Sequence, residues 1–109
     1  MAAHQFAIMN KTPKEGEIYD DYEPEKYDLI AVDDDLIQPI LSEFNTVNCF
    51  SHTVDFPCNG LVYAGITLIP PDSVCGMINI IDGAGGFGDL KSLLMKAKDE
   101  NKFIIHYGL

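Results

Sequence analysis

Residues Leu61 to Ile69 form an almost continuous apolar run, bounded by Asn59-Gly60 before it and Pro70-Pro71 after it. A run of strand length, stopped on both sides by turn formers, reads as a central strand buried on both faces. A central strand needs neighbours, so the rest of the chain has to supply a sheet. Val47 to Val54 is the nearest candidate. Between the two runs, Asp55-Phe-Pro-Cys-Asn-Gly60 carries turn chemistry in Pro57 and the Asn59–Gly60 pair, which predicts a hairpin.

Gln5 to Met9, Tyr27 to Val32 and Lys102 to Tyr107 are further runs of strand length. The apolar period becomes helical in three places: Leu36, Ile37, Ile40, Leu41 and Phe44; Val74, Met77, Ile78 and Ile81; and Leu90, Leu93, Leu94 and Ala97. Asp33, Asp34 and Asp35 stand where a helix start favours negative charge, and Pro39 falls near the first turn, where proline is tolerated. Asp72 or Ser73 can cap the second helix, and Lys96 and Lys98 suit the end of the third. The order β-β-α-β-β-α-α-β predicts an α+β fold, a mostly antiparallel sheet of about five strands with helices on one face. It occupies a single domain spanning residues 1–109.

An apolar fraction of 47% supplies a core for such a domain. No apolar run approaches the ~18 residues of a membrane span. Met1 to Ala7 has no basic segment and no long apolar stretch, so no secretory leader is expected. Cys49, Cys58 and Cys75 are too few, and odd in number, for a secreted disulfide framework. Reduced thiols and a cytoplasmic location are the expectation.

The net charge of -10 is concentrated. Residues 15–35 hold ten carboxylates against Lys26 alone, which places nine of the ten net negative charges there. Phosphate contacts need clustered lysine or arginine, so neither nucleic acid nor an anionic membrane is an expected partner. A basic protein or a cation is the better electrostatic match. The chain has no arginine, which also weakens the case for a phosphate-processing enzyme.

Four constellations invite a chemical reading. Gly83-Ala-Gly-Gly-Phe-Gly88 matches the dinucleotide fingerprint GxGxxG of Rossmann dehydrogenases, whose glycines let a helix N-terminus approach a pyrophosphate. Its context fails, because a helical stripe precedes it and the final strand runs out at His106-Tyr-Gly-Leu109 with no acid to bind a ribose. A glycine-rich connection between two helices, with Gly83 or Gly85 as cap, is the better reading. Asp33 to Asp35 could hold a hard cation but reads better as a helix cap with solvated neighbours. Cys49, His52, Cys58 and His106 have zinc-ligand chemistry, but Cys49 and His52 lie three apart on a strand and point to opposite faces. Cys58 with a histidine has the chemistry of a nucleophilic pair, whereas His106, in an apolar strand, reads as a core or edge histidine. None of these assigns a catalytic residue, a metal or a cofactor.

The segment with most content is Glu15-Gly-Glu-Ile-Tyr-Asp-Asp-Tyr-Glu-Pro-Glu-Lys-Tyr-Asp28. Tyrosine supplies contact area at low entropic cost, and surrounding carboxylates steer a basic partner. The competing reading is a solvated acidic loop with its tyrosines folded onto the sheet. In size, lack of a leader and this acid–tyrosine segment, the chain resembles the small acidic immunity proteins that bacteria make against their own basic toxins. The resemblance implies a non-enzymatic protein-binding inhibitor in which Tyr19, Asp20, Asp21, Tyr22 and Glu23 block a toxin's basic cleft. The alternative is a small enzyme or nucleotide binder that uses Cys58 with a histidine, or the glycine-rich loop 83–88.

Overall fold

The first and last apolar segments of the chain pair with each other. In the computed structural model, which describes residues 2–109, β1 (Ala3–Ile8) runs antiparallel to β6 (Ile104–Tyr107), with Phe6 opposite His106. Met1, where the segment read for a leader begins, lies outside the described residues. On its other side β1 pairs with β2 (Ile30–Asp33), placing His4 opposite Val32. β6 pairs in turn with β5 (Ile66–Ile69), which pairs with β3 (Asn48–Ser51), which pairs with β4 (Pro57–Asn59). The result is one antiparallel sheet in the order β2-β1-β6-β5-β3-β4. With α1 (Asp34–Ile37), α2 (Val74–Ala84) and α3 (Gly88–Glu100), it makes the expected α+β fold.

The sheet has six strands rather than five. The extra one, β4, lies inside the segment expected to be a turn. The chain reverses earlier, at residues 52–56, where His52 adopts φ +63° and the Phe56 amide donates to the Thr53 carbonyl at 3.1 Å. Cys58 is thereby free to stand opposite Cys49. The expected strand 61–69 is shortened to β5 because Leu61 to Gly65 folds aside. The Val62 amide donates to Thr67 Oγ1 at 2.8 Å, and the Gly65 amide returns to the Val62 carbonyl. That loop also clamps Gly108 and Leu109, whose amides donate to the carbonyls of Gly65 and Tyr63. A Cβ on Gly108 would overlap the Tyr63 carbonyl, so only glycine fits.

The first helix is also shorter than its apolar stripe. It is α-helical over four residues and continues as a 3-10 helix from Gln38 to Thr46. Pro39 has no N–H for the carbonyl four residues back, and its ring crowds that carbonyl. Ile37, Ile40 and Phe44 are buried nonetheless. α2 ends at Ala84 with Gly85 as cap at φ +77°, so the glycine-rich segment is a helix–helix connection.

Strand alternation sorts the core into two layers. Phe6, Val32, Ile69 and Ile104 face the helices and pack with Met77, Ile81, Leu90 and Leu94. Ala7, Met9, Ile66, Leu68, Ile105 and Tyr107 form the opposite layer, which no α-helix among the described residues covers. Among the described residues no helix is long and apolar enough to cross a membrane.

Candidate functional site

The face without helices is covered by the acidic segment. Tyr19, Tyr27 and Leu29 pack against the layer formed by Met9, Ile66, Leu68, Ile105 and Tyr107. The Gly16 amide donates to Asp55 Oδ2 at 2.7 Å, and the Tyr19 amide donates to the His52 carbonyl at 2.7 Å. His52 Nδ1 lies 3.1 Å from the Tyr19 carbonyl and 3.0 Å from Asp20 Oδ1, while its Nε2 faces the Ile66 amide at 3.4 Å. A neutral ring with its proton on Nδ1 satisfies all three contacts. Tyr22 donates its hydroxyl to Gln5 Oε1 and meets the Tyr107 ring edge to face at 4.9 Å. Burial raises the hydroxyl pKa of Tyr19 and of Tyr27 above the ordinary tyrosine value. Both therefore stay neutral under physiological conditions.

The five expected partner-binding residues thus divide. Tyr19 is half-buried and anchors the segment; Asp20, Asp21 and Tyr22 are exposed; Glu23 is half-buried and pairs with Lys26 at 2.7 Å. Two apolar residues join them at the surface: Ile18, 66% exposed, and Phe56, 64% exposed. They are neighbours of the residues that tie the segment down, since Gly16 and Tyr19 bind Asp55 and His52. Both were missed in the sequence, where single apolar residues in loops carry no signal. An open depression beside Tyr19 and Tyr27 is lined by Lys11, Glu17 and Lys26. Its two lysines are already paired with Glu17 and Glu23.

A second constellation lies inside the helix-side layer. His4 Nε2 is 2.8 Å from Asp34 Oδ1, His4 Nδ1 is 2.9 Å from His106 Nε2, and His106 Nδ1 is 3.1 Å from Thr67 Oγ1. Thr67 Oγ1 in turn receives the Val62 amide. At the other end Asp34 Oδ2 accepts from the Tyr63 hydroxyl and from Gln38 Nε2, both at 2.7 Å. With Asp34 ionised and both rings neutral, one arrangement of protons satisfies the whole chain. Thr67 donates to His106, His106 to His4, and His4 to Asp34. The two imidazoles stack with centroids 5.1 Å apart, and Phe6 lies 4.8 Å from His106.

The causes of the charge states are plain. Burial, and secondarily the neighbouring His4, pushes the His106 pKa down to about 3. Burial works against the Asp34 charge, but hydrogen bonds from His4, Tyr63 and Gln38 outweigh it and hold the carboxyl below its ordinary value. Asp34 is therefore not the solvated neighbour expected of a capping triplet. Asp33 is the cap, accepting from the Asp35 amide at 2.9 Å, and Asp34 is buried. His4, Thr67 and His106 are fully buried, so no solute reaches the rings. Tyr63 and Gln38, at the outer end, already donate to Asp34. The network reaches solvent at half-buried Tyr63 and exposed Gln38, whose Nε2 also donates to the Tyr63 hydroxyl at 3.1 Å.

The remaining candidates are not brought together. Cys49 and Cys58 are cross-strand neighbours, but His52 is tied to Tyr19 and Asp20, and His106 to His4 and Thr67. Among the described residues no group of three or more His, Cys, Asp or Glu converges to hold a metal ion. Burial raises the Cys58 thiol and pushes Cys49 up to about 12, the reverse of an activated nucleophile. Cys58 Sγ is instead engaged with the Gly60 carbonyl. Loop 83–88 follows a helix, not a strand, so the strand–turn–helix unit of a dinucleotide site is not formed. No family model matches the chain, and neither does any curated protein or solved structure.

Proposed function

We propose that this protein is a non-catalytic binding protein that presents segment 15–28 to a basic protein partner, as an immunity-type inhibitor would. The observation that carries this reading is the way the segment is held. Tyr19 and Tyr27 are packed on the sheet and the backbone is tied at Gly16 and Tyr19, while Asp20, Asp21 and Tyr22 remain exposed, Asp20 beside His52 and Tyr22 held by Gln5 and Tyr107. A surface ordered before binding loses little entropy on association. Exposed aromatic and apolar groups (Tyr22, Phe56 and Ile18) set among carboxylates match the make-up of a protein interface: anchors that are desolvated, and charges that steer.

The test is a pull-down from the native host, followed by titration of the captured protein. The partner should be basic, and Asp20→Lys/Asp21→Lys should weaken binding by about tenfold to a hundredfold, mainly through a slower association rate that is sensitive to salt. Recovery of only acidic or neutral partners, or unchanged affinity in the double variant, overturns the proposal.

A further inference from the structure

The two edges of the sheet are unequal. β4 is three residues long and begins with Pro57, which blunts it against further pairing. β2 is the other edge and contains no proline, lysine or bulge. Its inner hydrogen bonds go to β1 from alternate residues. The Asp34 amide donates to the Ala2 carbonyl, so by antiparallel alternation Val32 and Ile30 also bond inward. The N–H and C=O of Ala31 therefore point away from the sheet, and Ala31 is exposed. Alongside this edge runs an open depression of about 240 Å³ between β2 and the start of α3. Leu36, Phe87 and Leu90 supply its apolar wall, and among the described residues its charged lining is Asp33 and Asp89.

We infer that the outer edge of β2 is a docking site for an extended, lysine- or arginine-bearing segment of a partner protein, which joins the sheet as a seventh strand. Backbone pairing with Ala31 gives the register, and an apolar side chain of the incoming strand enters the depression. Its basic side chains, on the alternate face, meet Asp33. Like charge disfavours a second copy of this chain, because both copies would bring carboxylates, and no lysine, to the shared edge. The inference rests on the basic-partner reading but places a distinct contact, on the edge rather than on residues 18–23.

The experiment uses the full chain and a ten-residue peptide alternating lysine and valine, followed by amide NMR. The Ala31 and Asp33 amides should shift and gain exchange protection, and a glutamate–valine peptide should leave them unmoved. Ala31→Pro removes an outward N–H that β1 does not use, so the fold should persist while affinity drops by about tenfold or more. Leu36→Ser, at an exposed position, should weaken binding without touching the sheet. Undiminished binding by Ala31→Pro overturns the inference. Shifts confined to Asp20–Glu23 overturn it while leaving the proposed function standing, and shifts at neither place count against both. Self-association through β2 in sedimentation, with no peptide response, replaces the basic strand by a second copy and also overturns it.

Discussion

Replacing His106 by alanine should destabilise the protein by about 3–5 kcal/mol, comparable to deleting a buried aromatic ring. Two losses add. The ring is fully buried against Phe6 and His4, so its removal leaves a cavity in a packed layer. It also sits mid-chain, so His4 Nδ1 loses its donor and the Thr67 hydroxyl loses its acceptor. Thr67→Val keeps the shape of the threonine and should cost less, about 1–3 kcal/mol, from the unpaired His106 Nδ1 and Val62 amide. Urea denaturation of both variants checks the order. Equal and small effects would mean that the buried chain contributes nothing specific to stability.

Acidification should weaken the fold well above the carboxylate range. His106 takes up a proton near 6.5 once unfolded but, in the folded protein, only near 3. Between those values the unfolded state binds more protons, so stability falls as pH falls. Its contribution is fully present above about 6.5 and is lost progressively toward 3, with a slope approaching 1.4 kcal/mol per pH unit. Asp34 acts in a second, lower window. Its folded pKa lies below the ordinary 3.8, so the stability it contributes is present above that value and is lost as pH drops further. Denaturation midpoints between pH 7 and pH 4.5 isolate the first window. His106→Gln should flatten the profile there, and an unchanged slope would assign the effect to other groups.

Much of the fold was legible in local pattern, and what was not has physical causes. The stripes Val74–Ile81 and Leu90–Ala97 became α2 and α3 because a helical period survives any tertiary context that buries one face. The segments of β1, β2 and β6 were also visible. Their adjacency was not, since the pairing of residue 5 with residue 107 leaves no local trace. That pairing hid the buried chain. His4 and Phe6 share a face of β1, as Ile104 and His106 do on β6, but only the register brings the two imidazoles together. Asp34 looked like part of a helix cap with solvated neighbours because its burial is tolerable only beside His4 and Tyr63, which come from distant places in the chain, and Gln38, one helical turn on. The acidic segment was the reverse case. Its composition marked it out, and the structure shows Tyr19 and Tyr27 spent on covering the sheet, with Asp20, Asp21 and Tyr22 still exposed.

The place of β6 has a consequence for how the molecule is made. The last strand of the chain lies between β1 and β5, near the middle of the sheet. During synthesis the β1–β2 pair and the β5–β3–β4 group can each form, but no strand pairing joins them until Ile104 to Tyr107 emerges. Until then two half-sheets carry open edges and uncovered apolar faces, the condition in which nascent chains aggregate or engage chaperones. The closing step is a non-local insertion of four residues between two preformed pieces, so folding should be slow for a chain of this length, and nearly all of its cooperativity should arrive with the final strand.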